Sequence, residues 1–308
     1  MIPTPLIEIT NLGFANANRV FAKCENRNKI SHSHYDRVYS HLFDKCLERK
    51  VIKRGRTHLI ETSSGNAGTA FAKYCEHYGF SGTVVFPKEV RHARVAATVA
   101  KNVSVEIAPY GNYMKGALKR MLEIVKSAKR DGRDIYIMNH SQTFDSVVAM
   151  EKCGDEIGKQ FLKINLEPDI FVSALGNGTS TTGVTLSLRE EFNNLEVVGF
   201  EPRQSPVFTS KLAQTNGASY RTSEITGTGV WGIPFPNMHL DLLSRIELID
   251  EDAEAKRRWD DIRDQVKKQF GESIGLTSRV AIDVARRACE NVADRNLLVI
   301  FYDIGEYY

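Results

Sequence analysis

Between Thr57 and Pro87 the sequence runs strand, loop, helix, strand. Residues 57–62 (THLIET) read as a short buried strand, and 63–68 (SSGNAG) supply turn residues with hydroxyl and amide groups. A helix follows from Asn66, with Ala67, Ala70, Phe71, Tyr74 and Tyr78 at helical spacing and Gly79 as its stop. Residues 83–87 (TVVFP) are the next strand. A strand that returns parallel to its predecessor needs such a helical crossover. Residues 90–102 and 103–109 repeat the helix and strand, and an amphipathic helix follows with Met114, Leu118, Met121, Leu122 and Val125 on one face. The second half alternates in the same way. Strands are expected at 169–174, 196–202 and 296–303, and helices at 184–192, 250–271 and 278–291, with Gly271 as a stop. The pattern predicts an α/β fold with parallel sheets. No low-complexity linker and no fixed-period repeat interrupts it. Any lobes are therefore expected to be packed, with a cleft between them.

A chain of 308 residues can bury a large core or two lobes. A formal charge of +3 gives no reason to expect nucleic acid or a membrane surface as partner. Lys115, Lys119, Lys126 and Lys129 fall on the polar face of one helical pattern and read as a solvated face. The five cysteines, Cys24, Cys46, Cys75, Cys153 and Cys289, have no CxxC spacing. They are expected as buried reduced thiols. The N-terminus lacks the basic and apolar segments of a signal peptide, and no apolar run reaches membrane-spanning length. The expected location is cytoplasmic.

Two strand-to-helix loops could carry chemistry. In 176–183 (GNGTSTTG) glycines allow close approach of a ligand, and the following helix end presents unpaired N–H groups. Tight packing is the alternative reading. The loop is no P-loop, because no Gly-Lys-Ser/Thr closes it, and GxGxxG fails at Thr181. In 63–68, Ser63 and Ser64 can be helix caps, while Asn66 is harder to explain that way. Two such junctions suit a ligand with an anionic group at each end. A third loop, 227–236 (GTGVWGIPFP), reads equally as a cleft wall or a plain surface loop.

Taken in order, these segments resemble the fold-type II pyridoxal-phosphate (PLP) enzymes, closest to cysteine synthase and cystathionine β-synthase. Residues 23–28 (KCENRN) with 33–37 (SHYDR) resemble the family's lysine-bearing segment, 61–68 (ETSSGNAG) its substrate loop, and 176–183 its phosphate loop. Residues 199–202 (GFEP), 227–234 (GTGVWGIP), 275–282 (GLTSRVAI) and 303–308 (DIGEYY) fall in the family's order, over nearly the whole chain. The resemblance implies a tryptophan synthase β-like architecture: two lobes of parallel sheets with helices on both faces. It implies a larger lobe of residues 1–35 and 147–308 with the phosphate loop, and a smaller, mobile lobe of 36–146 with the substrate-carboxylate loop. Gly176, Asn177, Gly178, Thr179 and Ser180 would then hold the PLP phosphate. Asn66 would meet the ring hydroxyl, and Thr277 the pyridine nitrogen, an arrangement that in this family favours β-elimination and β-replacement. Ser63, Ser64, Gly65 and Asn139 would hold the substrate.

The sequence departs from the family at its centre. Aligning Ser33, Asp36 and Arg37 puts Tyr35 where the family has the lysine that links PLP covalently and moves the substrate's α-proton. Counting from Asn28 puts His34 there instead. Neither carries an amine, and Lys29 lies six residues before Tyr35. Ala67 replaces a threonine, Asn139 a glutamine and Trp231 a glycine, which would crowd the substrate. The phosphate loop is altered less. Tyr35 could act as acid or base, or fill the space the lysine left. His32 and His34 have no third ligand nearby in sequence, so no metal is expected. Three functions stay open. One is a cysteine synthase-like lyase or transferase acting on an amino acid, with PLP held without a covalent anchor or through a lysine at another position. The second is a pseudoenzyme that binds a metabolite or a partner enzyme and need not hold PLP. The third is an enzyme turned to PLP-independent chemistry through Tyr35 and the histidines. The resemblance also implies a homodimer.

Overall fold

The computed structural model describes residues 2–214, 223–225, 227–229 and 235–305. The N-terminal segment gives β1 (Leu6–Ile9) and β2 (Arg19–Lys23). Next come α1 (Tyr35–Glu48), β3 (His58–Thr62), α2 (Asn66–Tyr78), β4 (Ser81–Phe86), α3 (His92–Ala96), β5 (Val103–Ile107), α4 (Met114–Arg130) and β6 (Ile135–Ile137). The chain continues through α5 (Asp145–Lys163), β7 (Ile170–Ala174), α6 (Thr179–Glu191), β8 (Glu196–Pro202) and α7 (Val207–Leu212). It closes with β9 (Arg245–Ile249), α8 (Ala253–Phe270), α9 (Leu276–Cys289) and β10 (Asn296–Ile300).

The chain forms two compact units. One holds the chain up to Asn28 together with the chain from Val147 onward, and the other holds Lys29–Ser146. The first boundary lies ahead of Tyr35 because residues 30–36 close a turn on α1. The Asp36 carboxylate accepts the N–H groups of Ile30 and Ser31, each at 2.9 Å.

In the larger unit six strands run β1-β2-β10-β7-β8-β9. All pairs are parallel except β1 with β2, an antiparallel edge that the crossover pattern does not foresee. Alternate residues of β7 face opposite layers. Ile170 and Val172 join Trp259 of α8 and Val280 of α9 in one core. On the other layer Phe21 of β2 meets Phe161 of α5 edge-on at 5.1 Å. Helices thus cover both faces, as an all-parallel interior requires. The N-terminus of α8 is capped by the Asp252 side chain, which accepts Ala255 N–H at 2.8 Å, and Gly271 ends it at φ 76°.

In the smaller unit four parallel strands run β5-β4-β3-β6. Ile60 and Val85 pack under Met121 and Val125 of α4. Val84 faces the other way, close enough to Gly68 that a Cβ there would meet it at 2.9 Å, so α2 covers that face. Leu118 and Leu122, expected with Met121 on one buried stripe, are 38% and 51% exposed. The buried stripe is instead Ala117, Met121, Val125 and Ala128. The helix expected over 90–102 shrinks to the five residues of α3. Its apolar spacing buries little, since Val99 is 80% exposed, and Thr98 Oγ1 donates to Arg94 O at 2.8 Å, competing with the next turn. All five cysteines are buried and free. Lys115, Lys119, Lys126 and Lys129 are exposed.

Candidate functional site

In an open parallel sheet, ligands settle beyond the carboxyl ends of the strands where the strand order reverses. Each unit has one such point. In the larger sheet β8 and β9 continue to one side of β7, and β10 lies on the other. The loop after β7, 176–178, opens here into α6.

Gly178 holds this loop in a conformation few residues can adopt, with φ 87°, and a Cβ on it would lie within 2.6 Å of the Asn237 carbonyl carbon. Gly176 comes as close to the carbonyl of Gly227, and Gly229 N donates to Leu175 O at 3.0 Å. The described part of the third loop therefore packs on the 175–178 loop. Trp231 lies outside the described residues. Asn177 Oδ1 accepts Thr179 N–H at 3.1 Å. Thr182 Oγ1 donates to Asn237 O at 2.6 Å and accepts His239 N–H at 3.2 Å, fixing α6 against that segment. Ser180 is nearly buried on the first turn. Thr179 Oγ1 is buried and has no hydrogen-bond partner among the described residues. A buried hydroxyl without a partner costs about 1–3 kcal/mol. This one stands on the first turn of a 13-residue helix, the end that favours negative charge. Thr277 sits on the first turn of α9 and is 8% exposed. The preceding Gly275 packs so closely on the Asp303 carboxylate that no side chain fits there.

In the smaller sheet β4 and β5 lie to one side of β3, and β6 lies on the other. The loops after β3 and β6 meet at this switch point. Ser63 Oγ accepts the N–H groups of Gly65 and Gly68 at 3.0 and 2.7 Å and donates to Gly65 O. Its hydroxyl is thus spent on the start of α2, the capping role open to it in the sequence. Ser64 O accepts Arg94 Nη1 at 2.7 Å, and the guanidinium fills the space where a Cβ of residue 65 would stand. Asn66 begins α2 and is half-buried. Asn139 takes φ 56° at the end of β6, and its carbonyl accepts the N–H groups of Gln142 and Thr143.

Tyr35 begins α1 and is half-buried, as is His34, whose ring stacks tilted on it at 4.1 Å. Tyr35 also packs edge-to-face on His140 at 5.5 Å and near Tyr39 at 6.3 Å. Behind it stands Glu61, 2% exposed. Glu61 Oε2 accepts His140 N–H at 3.0 Å and Tyr39 O–H at 3.4 Å, and Oε1 accepts Thr62 N–H at 2.9 Å. His140 Nδ1 lies 3.0 Å from the same Oε2, with both side chains buried. Burial, then the Glu61 charge, push the Tyr39 phenol well above its ordinary range. Glu61, His140, Tyr39 and Arg94 were not singled out from sequence. They come from four separate segments, and local spacing carries no signal of their meeting; only Glu61 lay inside a quoted motif. Lys29 is exposed. Among the described residues no group of three His, Cys, Asp or Glu side chains could hold a metal ion.

In the larger unit the Thr179 hydroxyl and the tight turn at Gly178 suit the phosphate of PLP. In the smaller unit neither Tyr35 nor His34 carries an amine that could link it covalently.

A family profile described as pyridoxal-phosphate dependent enzyme matches residues 1–301. Cysteine synthase B of Campylobacter jejuni is 27% identical over 308 residues, covering 99% of this chain and 93% of that protein. Cysteine synthase A of Salmonella typhi is 27% identical over 312 residues, covering 99% and 90%. Among solved structures, a hydrogen sulfide-producing enzyme from Fusobacterium nucleatum superposes with TM-score 0.84 at 23% identity, over 99% of this chain and 94% of that one. An O-acetylserine dependent cystathionine β-synthase from Helicobacter pylori does so with TM-score 0.83 at 23% identity, over 99% and 94%. These likenesses show the fold-type II α/β architecture. The chain belongs to the family of pyridoxal-phosphate dependent enzymes.

Proposed function

We propose that this chain binds PLP through its phosphate alone and acts, cysteine synthase-like, on a β-activated amino acid such as O-acetylserine by β-elimination or β-replacement. The observation that carries the proposal is the buried Thr179 hydroxyl at the α6 N-terminus, which has no partner among the described residues. Bound PLP supplies an electron sink for bond breaking at the amino acid's α- and β-carbons. The chain's own residues do the rest. Gly176 to Ser180 hold the phosphate through N–H groups and hydroxyls. The 63–66 loop, stiffened by Ser63 and Arg94, presents the α2 N-terminus to the substrate carboxylate. Thr277, on α9, faces the pyridine nitrogen. Homodimerisation and a cytoplasmic location belong to the same proposal.

The test is absorbance titration with PLP, in the presence and absence of O-acetylserine, followed by an assay for cysteine from O-acetylserine and sulfide. Saturable binding that inorganic phosphate displaces, with cysteine formed, is expected. Absence of saturable binding would contradict the reading.

A further inference from the structure

The family's lysine has two tasks, anchoring PLP and moving the substrate's α-proton. Tyr35 can do neither as the lysine does. Its surroundings in the smaller unit hold a group suited to the second task.

At neutral pH an ordinary phenol, with a pKa of about 10, is almost wholly protonated and a poor proton acceptor. An ordinary imidazole, at about 6.5, is mostly neutral and ready to accept. Two imidazoles pack on Tyr35, those of His34 and His140, and of the two it is His140 that stands beside the buried Glu61 carboxylate. It follows β6 directly, beside the 63–66 loop across the switch point, where the substrate carboxylate would bind. Its Nδ1 lies 3.0 Å from Glu61 Oε2, and its own backbone N–H donates to the same oxygen at 3.0 Å. The backbone bond holds the residue against Glu61, and the ring nitrogen lies at ion-pair distance from the carboxylate without the geometry of a hydrogen bond. A buried carboxylate so placed offers a counter-charge to an imidazolium formed by proton uptake. Tyr35, edge-on to the imidazole at 5.5 Å, closes one side of it.

We propose that His140, oriented by Glu61, is the proton acceptor of this site, taking over the lysine's second task. The proposal rests on the PLP reading above. In the step it assigns, the Cα–H bond of the amino acid breaks and the proton passes to the imidazole. The electron pair forms the Cα–Cβ double bond, and the β-substituent leaves with the pair of its own bond. Glu61 is a positioning residue and Tyr35 a packing neighbour.

The experiment follows solvent exchange of the α-hydrogen of L-alanine in D2O by NMR, on PLP-saturated protein, across pH. L-Alanine has no leaving group, so proton transfer is read alone. Wild type is expected to exchange, with a rate that rises with pH along a one-proton titration. His140→Gln is expected to bind PLP as wild type does and to exchange at least about a hundredfold more slowly, without that titration. His140→Gln with normal PLP binding and the wild-type rate and pH profile would overturn the assignment. Failure of the unmodified protein to bind PLP would instead overturn the reading beneath it. A second arm needs no cofactor. The His140 ring nitrogen and proton resonances are recorded in the free protein, and Glu61→Gln is expected to change their chemical shifts. Unchanged ring resonances would overturn the pairing of Glu61 with His140.

Discussion

Thr179 is the residue at which stability and binding should part company. Its hydroxyl is buried and has no partner among the described residues. Thr179→Val removes that unsatisfied group and keeps the shape. The ligand-free protein is expected to be unchanged or more stable by about 1 kcal/mol in denaturant titration, while affinity for PLP and for inorganic phosphate falls roughly ten- to a hundredfold. A merely structural threonine would lose stability and leave affinity alone. Gly178→Ala should act in the opposite sense. A Cβ there meets the backbone of Asn237 and Met238 at φ 87°, so a loss on the order of 1–3 kcal/mol is expected in the same titration. The glycine pattern of this loop was legible in the sequence because close approach and unusual dihedrals demand glycine. The Glu61–His140 pair was not, because Glu61 ends β3 and His140 follows β6, and only sheet register brings them together.

Among elements, β3, α2 and β4 were readable because strand, cap, helix and stop signals sit within one short stretch. The strands β1, β2, β6 and β9 were not foreseen. β1, β6 and β9 are edge strands whose residues are mostly half-buried, so their apolar pattern is weak. β2 is interior and buried, but five residues are too short a run for pattern alone to tell strand from helix. The long α5 was missed as well, and α6 begins at Thr179, ahead of the expected 184, because the hydroxyl-rich first turn looks like loop. The turn into α1 offers a test of its own. Burial raises the Asp36 carboxyl above its ordinary range, against the hydroxyl of Ser31 and the N–H groups of Ile30 and Ser31, which favour its charged form. A carboxyl raised on folding contributes stability that is present below the unfolded value, about 4, and lost as pH rises through the folded value. Wild type should therefore lose melting temperature relative to Asp36→Asn as pH rises from about 4 through the weakly acidic range, measured by thermal melts at stepped pH. A constant difference would mean that the carboxyl is not perturbed.

At the scale of the molecule, two units each carry a sheet with a strand-order reversal, and each reversal carries loops with candidate residues of its own. No helix among the described residues is long and apolar enough to cross a membrane. The thiols should be silent in the native protein. Burial pushes Cys24 up to about 12 and Cys289 up to about 11, and raises Cys75 further. A thiol reagent is expected to leave all five cysteines essentially unmodified before denaturation and to titrate them afterwards. The most direct test of the whole account is borohydride reduction of the PLP-saturated protein, followed by peptide mapping. On the proposal that Tyr35 stands in the lysine's place, wild type is expected to release its PLP on dialysis and to yield no pyridoxyl-lysine peptide, whereas Tyr35→Lys should yield one at residue 35. A pyridoxyl-lysine recovered from wild type would contradict the account.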